Sequence, residues 1–223
     1  RRQGNDIRPG KLHGLRPLRA YVPLRRDRKE RGIMTKSILL VGVGGQGTIL
    51  ISKILTVGLT RMGYQVKMSE IHGMSQRGGS VSTQIKYGDD VYAPNIGLAE
   101  ADMVISFEKS EALRALPYLK KGGTLITDER EIYPMPVLSG EQSYPHDAIE
   151  TLKQRVDNVI VIRAAETAEK LGSIKAQNIV LLGALVKAMG LDGVDWKALV
   201  SAMVPPKAVE MNLAAYDAGY NME

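Results

Sequence analysis

The chain contains no cysteine. That absence excludes from it disulfides, thiol nucleophiles and cysteine-ligated zinc or iron–sulfur centres. Histidine is nearly as scarce. Of three, only His72 and His146 lie beyond residue 33, which argues against a catalytic zinc site, and no metal site is expected. His146 follows Pro145 and reads as a surface residue. Nothing marks a nucleophile elbow, so no catalytic serine is singled out. No uninterrupted apolar run approaches the roughly 18 residues that would span a bilayer. A soluble, cytoplasmic chain without a membrane partner is expected.

Serine and threonine are missing from residues 1–33. A transit peptide would be serine-rich and amphipathic, and a secretory signal would carry an apolar core; the head has neither. It holds eleven Lys/Arg and three acids, a net of +8 against +6 for the whole chain, so the remaining 190 residues net −2. The basic character belongs to the head alone. Met34 stands directly before a strand pattern. Residues 1–33 therefore read as non-native or disordered sequence ahead of one domain, 34–223. The other reading is a basic arm that touches nucleic acid or an acidic partner.

What is present is a strand–glycine–helix corner. An apolar run over 38–43 leads into Gly42-Val43-Gly44-Gly45-Gln46-Gly47-Thr48, and a helical stripe over 46–62 follows. Glycines at these positions suit a tight turn, close backbone approach to an anion and close helix–strand packing. The helix N-terminus adds free N–H groups and about half a positive charge. Gly42, Gly44, Gly45, Gln46, Gly47 and Thr48 are thus candidates for a phosphate-bearing cofactor. The alternative is that the same glycines are structural, since a tight strand–helix turn needs glycine without any ligand. A strand over 64–69 ends at Glu70, 23 residues after Gly47, near the spacing at which a dinucleotide fold places its ribose-binding acid. A solvated strand-end acid is the alternative.

Residues 71–80 carry polar and glycine residues without a core period and lie beyond a strand's carboxyl end, where open α/β sheets bind ligands. His72, Ser75, Gln76 and Arg77 are candidates there for substrate or partner contact. Arginine's planar fork matches a carboxylate or phosphate. Further strands are predicted over 81–87, 102–107, 124–127 and 159–163, with a hairpin return over 91–94 after the Gly88-Asp89-Asp90 turn. Helices are predicted over 110–119, 146–155, 164–171, 176–189, 194–203 and 207–219, and a long loop over 128–145. The 176–189 helix is apolar nearly all round and must be buried against the core, a partner, or both. Together these give a Rossmann-like α/β three-layer sandwich with a mostly parallel sheet and one hairpin.

The glycine corner, the segment Glu70-Ile71-His72-Gly73-Met74-Ser75-Gln76-Arg77-Gly78-Gly79-Ser80-Val81, the pairs Ala101-Asp102, Phe107-Glu108 and Glu111-Ala112, and Val204-Pro205-Pro206-Lys207 resemble the gamma-type domain of 2-oxoacid:ferredoxin oxidoreductases. The resemblance covers about 35–220, leaves out the head, and runs most strongly to small subunits of the indolepyruvate-using branch. It implies a small subunit, inactive alone, of an enzyme that uses a 2-oxoacid (indolepyruvate or another arylpyruvate), coenzyme A and oxidised ferredoxin. The products would be an acyl-CoA, carbon dioxide and reduced ferredoxin. Thiamine diphosphate and iron–sulfur clusters would sit in a large partner subunit and ferredoxin would be met through the complex. A homodimer of the isolated chain, covering the apolar 176–189 region, stays open. So does a free-standing NAD(P)-binding dehydrogenase that uses the glycine corner and Glu70.

Overall fold

The computed structural model describes residues 35–72 and 79–222, with His72 described by its backbone alone. The basic head, and with it the expectation that it is non-native or disordered, lies outside the described residues; so do Ser75, Gln76 and Arg77. Six strands are described: β1 (Lys36–Val43), β2 (Gln65–His72), β3 (Ser80–Gly88), β4 (Ala101–Ser106), β5 (Leu119–Asp128) and β6 (Asn158–Ile162). Eight α-helices accompany them: α1 (Thr48–Arg61), α2 (Lys109–Ala115), α3 (Met135–Leu138), α4 (Ala148–Arg155), α5 (Ala164–Lys170), α6 (Gln177–Met189), α7 (Trp196–Met203) and α8 (Val209–Asn221).

The strands form one sheet in the order β2-β3-β1-β4-β5-β6, in which β1, β4, β5 and β6 pair in parallel and only β3 runs against its neighbours. The expected hairpin exists, but with a different partner. β3 pairs with β2 on one side and β1 on the other, so neither edge is free for a return strand. Residues 91–94 form no strand. The Val91 N–H is taken by the Gln65 side chain at 3.3 Å, and Pro94 has no N–H to give.

Successive residues of β1 point to opposite faces. Ile38 and Leu40 join the larger core beneath α1, α6 and α7, while Leu39 and Val41 pack with residues of α2 and α4. Both faces are covered, which is why the parallel strands read as unbroken apolar runs. Helix α2 stops at Ala115 rather than 119, because Pro117 turns the chain into a short 3₁₀ segment, Leu116–Tyr118. The strand predicted over 124–127 begins earlier, and Gly122-Gly123 sits inside β5 beside a register shift against β4. The expected long loop holds the single turn α3.

Helix α6 needs no cover from another chain. Ile179 to Val186 are all buried, because α8 lies across one side of the helix while α1, α5 and β5 pack against the others. Gly183 and Gly219 make that crossing possible: a Cβ on either would collide with backbone of the other helix. The reason for expecting a homodimer over this helix therefore falls away.

Candidate functional site

The carboxyl ends of β1, β4 and β5 share one rim of the sheet, and the glycine corner stands at its centre. Gly42 lies opposite Val81, and Val81 opposite His72, so His72 closes β2 in the same row but two strands away. The Gly44 N–H donates to the Gly79 carbonyl at 2.8 Å. The glycine loop thus adjoins the end of the hairpin loop that carries Ser75, Gln76 and Arg77. Gly45 and Gly47 take positive φ, 101° and 82°. At Gly47 a Cβ would also overlap the Asn178 side-chain nitrogen of α6, so this position requires glycine twice over. Thr48 opens α1 with a buried side chain, and no side chain caps the helix N-terminus.

Gln46 does not face outward. Its Oε1 accepts the Val43 N–H at 2.7 Å and its Nε2 donates to the Phe107 carbonyl at 2.8 Å. The side chain therefore spans the ends of β1 and β4, the point where chain connections diverge to the two sides of the sheet and where open α/β folds place nucleotides. Glu70 is equally removed from a nucleotide geometry. It lies level with Thr83 and Leu40, two residues short of the rim, and accepts from the Ser52 hydroxyl at 3.2 Å. The antiparallel β3 separates it from β1 by two strand spacings, about 9–10 Å. The dinucleotide reading gains nothing from this arrangement.

A denser polar cluster occupies the rim beyond β4 and β5. Glu108, fully buried, accepts from the Glu111 N–H (2.9 Å), the Ser110 hydroxyl (2.6 Å), the Ile132 N–H (3.4 Å) and the Tyr144 hydroxyl. Lys109 pairs with Glu131 at 2.5 Å and donates to the His146 carbonyl at 2.9 Å. These two adjacent residues clamp both ends of the segment 131–146. The Lys109 ammonium holds the Glu131 carboxyl down at about 2. Burial raises Glu111, against the Ser80 hydroxyl that bonds it at 2.5 Å.

Asp128 ends β5 almost completely buried. It accepts from the Ala165 N–H and from Gln177 Nε2, each at 2.8 Å. Burial pushes its pKa up to about 6. The Gln177 Nε2 also donates to the Phe107 carbonyl at 2.8 Å, while Gln177 Oε1 accepts from Arg130 at 3.0 Å. Beside it Asn178 donates to the Gly47 carbonyl at 3.4 Å, and its buried Oδ1 has no hydrogen-bond partner among the described residues. An open cleft of about 260 Å³ borders the Glu108 cluster instead, between Ser110, Arg114, Val137 and Tyr144.

Sequence reading named the glycine corner and missed Asp128, Gln177 and Asn178. Asp128 carried a signal, an acid at a strand's carboxyl end like Glu70. Gln177 and Asn178 carried none, because they open an apolar helix and meet the loop only through tertiary packing. His146 is exposed and reaches Glu131 at 3.2 Å; Lys207 is exposed. Among the described residues no group of three or more His, Asp or Glu is placed to hold a metal ion, and no helix is long and apolar enough to cross a membrane.

Residues 37–222 match the family model for pyruvate ferredoxin/flavodoxin oxidoreductase. The indolepyruvate oxidoreductase subunit IorB of Pyrococcus horikoshii is 39% identical over 190 residues, covering 82% of this chain and 93% of the relative. Two solved structures share the fold. The keto/oxoacid ferredoxin oxidoreductase gamma subunit of Geobacter sulfurreducens superposes with a TM-score of 0.60 at 24% identity, over 83% of this chain and 96% of its own. The 2-oxoglutarate:ferredoxin oxidoreductase of Magnetococcus marinus, solved with 2-oxoglutarate, coenzyme A and succinyl-CoA, gives 0.65 at 20% identity, over 84% of this chain and 31% of its own. With the family model spanning nearly the whole described domain, the chain belongs to the pyruvate ferredoxin/flavodoxin oxidoreductase family.

Proposed function

We propose that this chain is the small subunit of an indolepyruvate-class 2-oxoacid:ferredoxin oxidoreductase and completes a pocket whose redox machinery belongs to a larger partner. The observation that carries this is the match to an indolepyruvate oxidoreductase subunit along 93% of that subunit's length. A shared nucleotide-binding module inside an otherwise different protein would match only a part. The reaction converts a 2-oxoacid, coenzyme A and two oxidised ferredoxins to acyl-CoA, carbon dioxide, two reduced ferredoxins and a proton.

Thiamine diphosphate and iron–sulfur clusters do not fit this chain. It has no thiolate to hold a cluster, and among the described residues no group of three or more His, Asp or Glu is placed to hold the metal that accompanies a diphosphate. Both groups fall to the large subunit, and no step is routed through them here. This chain's part is binding and orientation. The N–H groups at the start of α1, together with Arg77 from the segment between β2 and β3, would bind an anion, the substrate carboxylate or the coenzyme A phosphates. Holding that anion in a fixed place contributes through proximity rather than through bond breaking.

The test is reconstitution with a thiamine-diphosphate- and cluster-bearing large subunit. The pair is expected to reduce ferredoxin with indolepyruvate and coenzyme A, and each subunit alone to be inactive. Turnover by this chain unaided, or a pair inert toward every arylpyruvate, overturns the reading.

A further inference from the structure

We propose that Gln177 is a positioning residue for the glycine loop, acting through the one carbonyl oxygen that it shares with Gln46. A carbonyl oxygen carries two lone pairs. At Phe107 both are used, by Gln46 Nε2 and Gln177 Nε2, each at 2.8 Å. Phe107 is fully buried, so no water replaces a lost donor.

Neither amide is free to turn over. Gln177 Oε1 is fixed by Arg130 and its Nε2 by Asp128 as well as Phe107. Gln46 Oε1 is fixed by the Val43 N–H. Reversing either amide would set oxygen against the Phe107 oxygen and leave other donors and acceptors unmatched. The direction of both side chains is therefore a property of the network.

Gln46 is the residue through which such a tether governs the loop. Its neighbours Gly45 and Gly47 are glycines at positive φ, so the stretch between β1 and α1 has little stiffness of its own. Hydrogen bonds hold it: Gly44 to Gly79, Gln46 to Val43 and Phe107, and Asn178 to Gly47. Two of these lead to the first turn of α6, whose Gln177 and Asn178 are 2% and 4% exposed and whose following turns lie in the core. A rigid helix thus sets where the first N–H groups of α1 point.

The kinetic arm of the test rests on the small-subunit reading above; the exchange arm does not. Gln177→Met keeps the length of the side chain and removes its hydrogen bonds. In the full chain, hydrogen exchange over 44–50 is expected to quicken about tenfold in Gln177→Met and in Gln46→Met. The double variant should be no faster than the worse single one, because both act at one oxygen. In the reconstituted pair, Gln177→Met is expected to raise the KM for coenzyme A or the 2-oxoacid about tenfold while kcat stays within about twofold. Should Gln177→Met fail to fold, Gln177→Asn, one carbon too short to span the network, serves for the same comparison. Loop exchange equal to wild type, a rise spread evenly over every element, or unchanged KM values in an active pair overturns the inference. An inactive wild-type pair counts against the functional reading alone, and exchange still decides the role of Gln177.

Discussion

Gly219 of α8 passes so close to the Val180 carbonyl of α6 that a Cβ between them would collide with that oxygen. The contact is backbone against backbone, with Gly183 making the reciprocal approach to Tyr216 and Tyr220. It lets α8 cover an apolar helix that would otherwise need another chain.

Replacing Gly219 with alanine should force the helices apart. Overpacking costs about 1–3 kcal/mol, and the gain in helix propensity, about 1 kcal/mol, offsets part of it. Because the collision is with backbone, the upper end of that cost applies, and the net of about 2 kcal/mol is a fall in Tm of about 4–8 °C for a domain of this size, read by circular dichroism. An unchanged or higher Tm would show that α6 and α8 do not cross in this way.

Glu108→Gln should loosen the segment 131–146. The carboxylate accepts from four donors, and an amide presents an N–H₂ group to some of them, at a cost of about 1–3 kcal/mol. Limited proteolysis is expected to cut first within 133–143, where Tyr133, Met135 and Leu138 are exposed. Cleavage there no faster than in wild type would deny the clamp.

Asp128 sets a pH dependence with a definite sign. Its folded pKa, about 6, lies above its ordinary 3.8, so the native state binds the proton more tightly than the unfolded chain. Its contribution is greatest below about pH 4 and is lost as pH rises through about 6, a span worth about 2–3 kcal/mol. Denaturant unfolding of wild type and Asp128→Asn over pH 4–7 should show wild type losing stability relative to the variant as pH increases. Parallel curves would place the Asp128 titration elsewhere.

In the reconstituted pair, Arg77→Ala is expected to lower turnover by about tenfold or more without altering the Tm of this chain, as loss of a charge-assisted anion contact would. Arg77→Lys should restore only part, because a point charge does not reproduce the two parallel bonds of the guanidinium. Kinetics indistinguishable from wild type would remove Arg77 from the site.

Local patterns were legible in the residues themselves. The apolar runs of β1 and β4 and the glycine corner depend on periods and turn chemistry within a few positions. The partner of β3 was not legible. Residues 91–94 follow a turn signal as a return strand would, but pairing is a competition among strands, and β1 and β2 already hold both edges of β3. The outward or inward sense of Gln46 was equally hidden, since its acceptor belongs to Phe107 on the other side of the crossover.

The sequence by itself determined the family and, through its want of cysteine, that these residues offer no thiolate ligand; both follow from residue identity, which folding does not change. Only the tertiary structure decided that Gln46 fills the switch point, that Glu70 stands two strands from the glycine corner, and that the apolar α6 is sheltered within its own chain. Each of those depends on which distant segments win the same space, and contacts such as Gln46 to Phe107, 61 residues apart, leave no trace in local pattern.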